Sequence, residues 1–307
     1  MKVAVEVPAS SANLGVGFDA LALALELTLR VEVETLPAGM SELQVAGEGA
    51  GRLGLNDANR FVSGLRRGLE ELEAADAGMA WRIEMVNEIP LGRGLGSSAA
   101  AAVGGLLCAE GLAGRQLGRE SLLRLAVEIE GHPDNVAAAL LGGFVIVTGG
   151  AAEGDWQVLR LDPPAGLRAV VFVPERELPT SRMRAALPDS VPRADAVHNL
   201  GRAAMLAAAM AHGDLELLSA MCGDRLHEPY RAALYPEFPS LQKAALDAGA
   251  FGAALSGAGS TVIALCGADS ADAVAGALRQ AAANVGLSGL ARTLTPRARG
   301  PVVRLAG

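Results

Sequence analysis

The sequence predicts an α+β fold in two domains, and three observations carry that prediction. Strand-like segments alternate apolar and polar residues, as where Val3, Val5 and Val7 alternate with Lys2, Ala4 and Glu6. Half-buried strands of this kind belong to antiparallel or mixed sheets, because a parallel sheet covered on both faces reads as unbroken apolar runs. Helical runs are interleaved with these strands without a regular βα repeat, which argues against a barrel. The segment Gly149-Gly150-Ala151-Ala152-Glu153-Gly154-Asp155 then punctuates the middle of the chain and divides it into residues 1–154 and 155–307.

The first strand lies at 2–7. A second covers 25–34, where Leu25, Leu27, Leu29, Val31 and Val33 alternate with Glu26, Thr28, Arg30, Glu32 and Glu34. Between them, Pro8 to Asp19 reads as a polar loop, with Asp19 placed either to cap a helix-like run at 20–23 or to grip a polar ligand. A short strand at 41–46, a helix at 56–73 and a strand at 81–85 running toward Ile89 come next. Residues 97–113 form a helix whose alanines and glycines permit close approach to a neighbour. Helices at 119–130 and 135–141 follow, and Gly142-Gly143 stops the second of these before a strand at 144–148. The second half reads as strands at 157–161 and 167–173, then helices at 195–212, 214–226 and 239–248. Strands at 253–255 and 261–266, a helix at 271–283 and a strand at 292–294 complete it.

With 307 residues and 51% apolar composition the chain can bury a substantial core. Its net charge of −8 has no basic stripe, and two tyrosines, two tryptophans and six phenylalanines leave little for base stacking, so a nucleic-acid partner is not expected. Glu6 and Pro8 interrupt any signal-peptide core, and the longest uncharged run, 135–152, is broken by glycines; a cytoplasmic protein without a membrane partner is expected. Cys108, Cys222 and Cys266 are too scattered for a disulfide framework or a metal cluster.

The most informative segment is Pro90-Leu91-Gly92-Arg93-Gly94-Leu95-Gly96-Ser97-Ser98-Ala99-Ala100, which joins a strand to a helix through three glycines and two hydroxyls. Backbone N–H groups of a glycine turn converge on an anion, and the first helical turn adds unpaired N–H groups and the positive end of a dipole; together they make a pocket for phosphate. Ser97 stands where a Walker motif demands lysine, so this is no conventional P-loop. Gly94 to Ala99 fits a relaxed dinucleotide fingerprint, yet helix follows helix here instead of a strand ending in an acid, which argues against an oxidoreductase. Ser97 or Ser98 is placed either to cap the helix or to meet phosphate and magnesium.

Glu128-Ile129-Glu130-Gly131-His132-Pro133-Asp134-Asn135 ends a helix in acids and continues as a polar turn. One glutamate beside ATP phosphates suffices for magnesium, which prefers carboxylate, phosphate and water oxygens. The other reading makes Glu130 a solvated helix end and Asp134 the N-cap of the next helix. Asn13 is a candidate for polar recognition from the first loop. Ser256-Gly257-Ala258-Gly259-Ser260 is a second glycine turn, whose simplest use is to let strands pack closely. Lys2 and Lys243 are the two lysines, so positive charge for phosphate chemistry must come from arginine, a metal ion and backbone dipoles. Arg184 and Arg231, each ahead of a proline-marked turn, either grip a carboxylate through a bidentate fork or belong to the solvated surface.

Laid out in order, these segments resemble the GHMP small-molecule kinase superfamily over essentially the whole chain. Pro8 to Asp19 is similar to its N-terminal substrate motif, Pro90 to Ala100 to its ATP phosphate-binding motif, and Glu130 to Asn135 and Ser256 to Ser260 to its later motifs. Thr180-Ser181-Arg182-Met183-Arg184 and Leu226-His227-Glu228-Pro229-Tyr230-Arg231 resemble the homoserine kinase family more than the mevalonate and sugar kinases. The resemblance implies an N-terminal domain like the second domain of ribosomal protein S5 beside a ferredoxin-like C-terminal domain. It implies a transferase that passes the γ-phosphoryl group of ATP to the side-chain hydroxyl of L-homoserine, giving ADP and O-phospho-L-homoserine in threonine biosynthesis. By the same resemblance Gly92 to Ser98 hold the ATP phosphates, Ser98 and Glu130 meet Mg2+, and Asn59 lies near the nucleotide. Asn13, Asp19, His132 and Asp134 surround the acceptor, while Arg184 and Arg231 hold its amino-acid head. Glu130 matches the magnesium glutamate better than Glu128. No lysine is placed to pair with an aspartate, so Asp134, Asn135, substrate phosphate and water all stay open as the proton acceptor. A homodimer is compatible with the resemblance, although the alanine-rich helices would equally cover a domain core. Another GHMP kinase and a noncatalytic nucleotide sensor on the same scaffold are the alternatives.

Overall fold

Val3, Val5 and Val7 are buried as their alternation requires, but the strand they begin, β1 (Lys2–Asn13), runs on through the segment expected to be a loop. Likewise β2 (Gly17–Leu36) absorbs the run expected to be helical at 20–23, so Asp19 caps no helix. The cause is burial on both faces of the hairpin end. Leu21 to Leu25 are all buried, and the Ser10 and Ser11 hydroxyls are satisfied inside the protein by Asn135 and Ser256 rather than by water. The computed structural model describes residues 1–36, 39–74, 79–150, 152 and 154–306.

Five further strands complete the first sheet: β3 (Glu42–Gly47), β4 (Ala80–Asn87), β5 (Phe144–Gly149), β6 (Trp156–Leu161) and, numbered after those of the second sheet, β11 (Val302–Ala306). The order is β11-β1-β2-β4-β3, with β5 against the start of β2 and β6 against β5. All pairs are antiparallel except β3 with β4. The glycine-rich segment at 149–155 is the turn of the β5–β6 hairpin, where Gly150 N–H donates to Asp155 O at 2.6 Å; Ala151 and Glu153 lie outside the described residues. β6 and β11 both lie beyond residue 154 yet belong to this sheet, because their backbone groups pair with β5 and β1. The strand β11 carried no clear alternation in sequence and was not expected.

Four helices, α1 (Arg60–Glu71), α2 (Ser97–Ala113), α3 (Arg119–Glu130) and α4 (Asp134–Leu141), form the layer beside this sheet. The small residues of α2 work as expected. A side chain on Gly105 would strike the Phe61 carbonyl of α1, and one on Gly64 would strike the Ala102 carbonyl of α2, so the two backbones meet through glycine.

The second sheet has β7 (Leu167–Pro174), β8 (Gly252–Leu255), β9 (Val262–Gly267) and β10 (Gly289–Leu294) in the antiparallel order β10-β7-β9-β8. Its central strands are covered on both sides: Val171 joins the large core shared with the first sheet, while Val170 and Phe172 join a second core under α8 (Phe238–Asp247) and α9 (Ala271–Asn284). Between β7 and β8 the chain also forms α5 (Thr180–Ala185), α6 (Arg193–His212) and α7 (Glu228–Ala232). The helix expected at 214–226 is only a 3-10 turn, Glu216–Met221, followed by a loop. There Gly223 turns left-handed at φ +75°, and the Asp224 carboxylate captures the N–H groups of Leu226, His227 and Glu228. These side-chain contacts replace the helical ladder. No helix among the described residues is long and apolar enough to cross a membrane.

Candidate active site

The turn between β4 and α2 opens onto a cleft walled by the β1–β2 hairpin, the start of α1, the turn into α4 and the glycine turn after β8. Gly92, Gly94 and Gly96 have φ of +67°, +80° and +69°. Gly94 is pressed against the Ser256 carbonyl and Gly96 against the Ser10 hydroxyl, leaving no room for a Cβ. Gly96 is also the N-cap of α2 and no side chain caps the helix, so the capping role considered for Ser97 and Ser98 is not used. Both serines face the cleft, while Pro90, Leu91 and Leu95 line its apolar side.

Arg93 lies within the expected phosphate motif but is no free cation. Its Nε donates to Pro174 O at 2.8 Å, Nη1 to Leu91 O at 2.9 Å and Nη2 to Glu175 O at 2.8 Å. The side chain pins the glycine turn to the end of β7, a task that three carbonyls make more favourable than an excursion into the cleft. Ala99 and Ala100 are likewise fully buried in the core and hold the helix rather than a ligand.

Glu130 is no solvated helix end. Its side chain is 4% exposed, Oε2 accepts from Ser98 Oγ at 2.6 Å, and Oε1 is buried without a hydrogen bond, with Arg60 Nε 3.5 Å away. Glu128 instead reaches outward to Arg124 at 2.8 Å, which separates the two acids by direction. A carboxylate oxygen without a donor beside a hydroxyl fits a hard dication, with the remaining ligands coming from phosphate and water. No larger cluster of metal-ligating side chains exists among the described residues.

Asp134 sits in the first turn of α4 and is buried, Oδ1 accepting from Asn135 N–H at 2.6 Å. It does not serve as the N-cap, a position held by Pro133. His132 Nδ1 lies 3.5 Å from the same oxygen, and the Asp134 carboxylate raises the imidazole pKa above its ordinary value against the opposing effect of burial. Asn135 Oδ1 accepts from Ser10 Oγ at 2.9 Å, which leaves its amide nitrogen without a partner among the described residues. Asn59 also lines the cleft, but its side chain caps α1, accepting from Phe61 N–H at 3.1 Å and donating to Gly54 O at 3.0 Å. It shapes the cleft wall by holding that helix.

At the opposite end the hairpin tip is held in an unusual backbone conformation. Asn13, Leu14 and Asp19 have φ of +69°, +47° and +53°, a region that costs side-chain-bearing residues about 1 kcal/mol or more each. Asn13 supplies part of the restraint: Nδ2 donates to Gly257 O at 2.8 Å and Oδ1 accepts from Asp19 N–H at 3.0 Å. Arg184 forks onto Asp19 at 2.7 and 3.0 Å. Arg231, far from the surface, is 1% exposed; burial lowers its pKa to about 10, which leaves it charged at neutral pH. Both guanidinium groups sit over the Phe18 ring, at 5.8 and 5.4 Å from its centroid.

The second glycine turn divides its work. Gly257 and Ala258 line the cleft, while Ser256 Oγ donates to Gly94 O at 2.6 Å, Gly259 N–H donates to Ser256 O at 2.8 Å and Ser260 Oγ donates to Arg176 O at 2.7 Å. Lys2 and Lys243 are engaged with Glu32 and Asp247, each at 2.6 Å, and neither lines the cleft. The residues that sequence reasoning passed over are Ser10, Phe18 and His227. All act through neighbours, and their only signal was membership of the motifs at 8–19 and 226–231.

An anion cradle with an adjoining buried carboxylate thus faces two arginines across a single cleft, an arrangement suited to moving a phosphoryl group onto a small acidic acceptor. Residues 59–143 match the GHMP kinases N terminal domain and residues 206–284 the GHMP kinases C terminal domain. The chain is 45% identical to a homoserine kinase of Thermus thermophilus over 84% of this chain and 85% of that one. It is 40% identical to a homoserine kinase of a Synechococcus species over 97% and 95%. The crystal structure of homoserine kinase from Cytophaga hutchinsonii superposes with a TM-score of 0.87 at 31% identity, covering 99% of this chain and 97% of that one. With both halves matched in order and the whole fold shared, the chain belongs to the GHMP kinase family.

Proposed function

We propose that the protein transfers the γ-phosphoryl group of ATP to the side-chain hydroxyl of L-homoserine, releasing ADP and O-phospho-L-homoserine for threonine biosynthesis. The observation that carries this reading is the pair Arg184 and Arg231 beside Asp19, facing the glycine cradle across one cleft. An amino-acid head needs both signs of charge, and this end of the cleft supplies them. The net charge of −8 disfavours attraction to nucleic acid or to an anionic membrane surface.

The N–H groups of the Gly92–Ser98 turn receive the ATP phosphates, aided by the positive end of α2. Ser98 Oγ and Glu130 would hold magnesium, which when bound supplies neutralising charge to the phosphate oxygens. Arg231 and Arg184 grip the substrate carboxylate, and Asp19 with Asn13 receives the ammonium. Asp134 Oδ2, free of the Asn135 contact, accepts the substrate hydroxyl and aims its oxygen at phosphorus. Phosphoryl transfer is loose enough that alignment and charge stabilisation suffice, so a cleft without a lysine–aspartate pair remains competent.

A panel assay of ADP release with homoserine, mevalonate, galactose and threonine tests this reading. Homoserine should give the highest kcat/KM; a clear preference for another alcohol refutes the assignment, and ATP binding without acceptor-dependent turnover identifies a sensor. Arg231→Ala should raise the homoserine KM about tenfold or more while the ATP KM stays within about twofold, because a carboxylate contact made equally in ground and transition states acts on binding. Unchanged homoserine affinity in a calorimetric titration would remove Arg231 from the substrate site.

A further inference from the structure

We infer that His227 is a positioning residue whose Nδ1 fixes the Arg231 fork so that one nitrogen, Nη2, is presented to the carboxylate of the acceptor. This rests on the reading of Arg231 given above. Arg231 Nη1 carries two N–H groups and spends both, on His227 Nδ1 at 2.9 Å and on Gly257 O at 3.1 Å. Nε lies at the limit of hydrogen bonding, 3.5 Å from Met183 O. Nη2 bonds no described residue, and Arg231, although nearly fully buried, lines the cleft. Because the guanidinium is planar, two fixed points on Nη1 set the direction of Nη2.

The chemistry of its partners fixes the form of the imidazole. Nε2 lies 2.7 Å from the Gly15 carbonyl, which can only accept, so Nε2 carries the proton. Arginine can only donate, so Nδ1 carries none; the ring is the neutral Nε2–H tautomer. It is fully buried and stacks on Phe18 at 5.1 Å. Burial lowers its pKa to about 4, reinforced by the charge of Arg231. Asp224 Oδ2, 3.8 Å from Nε2, opposes this, but that oxygen is already bonded to the N–H groups of His227 and Glu228. Glu228 is itself held neutral by burial, its pKa raised to about 8, and so adds no competing charge below that pH. Asp19, the remaining carboxylate nearby, is engaged by Arg184.

Two substitutions separate positioning from support. In His227→Asn the carboxamide oxygen takes the place of Nδ1 and still accepts from Arg231, whereas the Gly15 contact is lost. In His227→Gln the carboxamide reaches the place of Nε2, keeping the Gly15 contact and losing the acceptor for Arg231. The Asn variant should keep its homoserine KM within about threefold, and the Gln variant should raise it about tenfold, with ATP KM and saturating kcat little changed in both. Equal homoserine KM values, or a better-preserved KM in the Gln variant, overturn the inference. If Arg231→Ala leaves the homoserine KM unchanged, the reading of Arg231 fails and the inference with it. An impaired Arg231→Ala beside indistinguishable His227 variants defeats the inference alone. The unsubstituted enzyme supplies a test that survives any folding defect. Nitrogen-15 spectra of its four histidines should show one ring that stays neutral with its proton on Nε2 from about pH 5.5 to 8. Titration of His227 near its ordinary pKa, or a proton on Nδ1, overturns the assignment.

Discussion

Glu130→Gln is expected to lower kcat about 10²- to 10³-fold and to raise the magnesium concentration needed for half-maximal rate, while the homoserine KM changes little. Glutamine fits the same space and can still accept from Ser98 Oγ, so the loss isolates the charge on the oxygen that lacks a donor. Initial rates across a magnesium titration provide the measurement, and wild-type kcat with wild-type magnesium dependence would remove Glu130 from the reaction. Glu128→Gln is the matched control. Its carboxylate is about half exposed and paired with Arg124 at 2.8 Å and Arg67 at 3.7 Å, so only surface ion pairs are lost and activity should persist.

Gly94→Ala should destabilise the protein by about 2–4 kcal/mol and raise the ATP KM more than the homoserine KM. The added Cβ meets the Ser256 carbonyl, a backbone group that already accepts from Gly259 N–H. Retreat from that contact would stretch the bonds from Ser256 Oγ to Gly94 O and from Thr261 N–H to Arg93 O. Gly92→Ala shares the left-handed conformation but faces only the flexible Glu177 side chain at 3.7 Å, so it should cost about 1 kcal/mol. Denaturant melts compare the two. If both variants unfold at the same midpoint, the contact with Ser256 carries no weight.

The parts of this fold legible in sequence are those whose signals are local. α2 and α3 lie where expected, at 97–113 and 119–130, because the glycines Gly96, Gly114, Gly118 and Gly131 bound them in sequence. The loop expected at 8–19 failed for the opposite reason. Ser10 and Ser11 look solvated in sequence, but Asn135 and Ser256, distant along the chain, take their hydroxyls. The helix expected at 214–226 had adequate propensity, yet Asp224 and Asn199 offered its backbone better partners. Among site residues, Ser98, Glu130, Arg184 and Arg231 were singled out from residue type, order and family resemblance, and all four line the cleft. That Arg93 is spent on carbonyls, and that Asn59 serves as a helix cap, depends on where Pro174, Glu175 and Phe61 come to rest.

Gly257 has a consequence for how the two substrates bind together. Its N–H donates to Ala12 O at 3.0 Å, its carbonyl accepts from both Asn13 and Arg231, and its neighbour Ser256 reaches Gly94 in the phosphate turn. The glycine turn at 92–98 and the end of the cleft that holds Asn13 and Arg231 therefore share one peptide turn as a common wall. A ligand that stiffens that turn from one side is expected to spare a ligand on the other side the same loss of freedom. Thermodynamic linkage makes the benefit reciprocal: the factor by which ATP tightens the acceptor equals the factor by which the acceptor tightens ATP. Synergy between ATP and the acceptor, read as the change in one dissociation constant on saturation with the other, is the expected outcome of this shared turn.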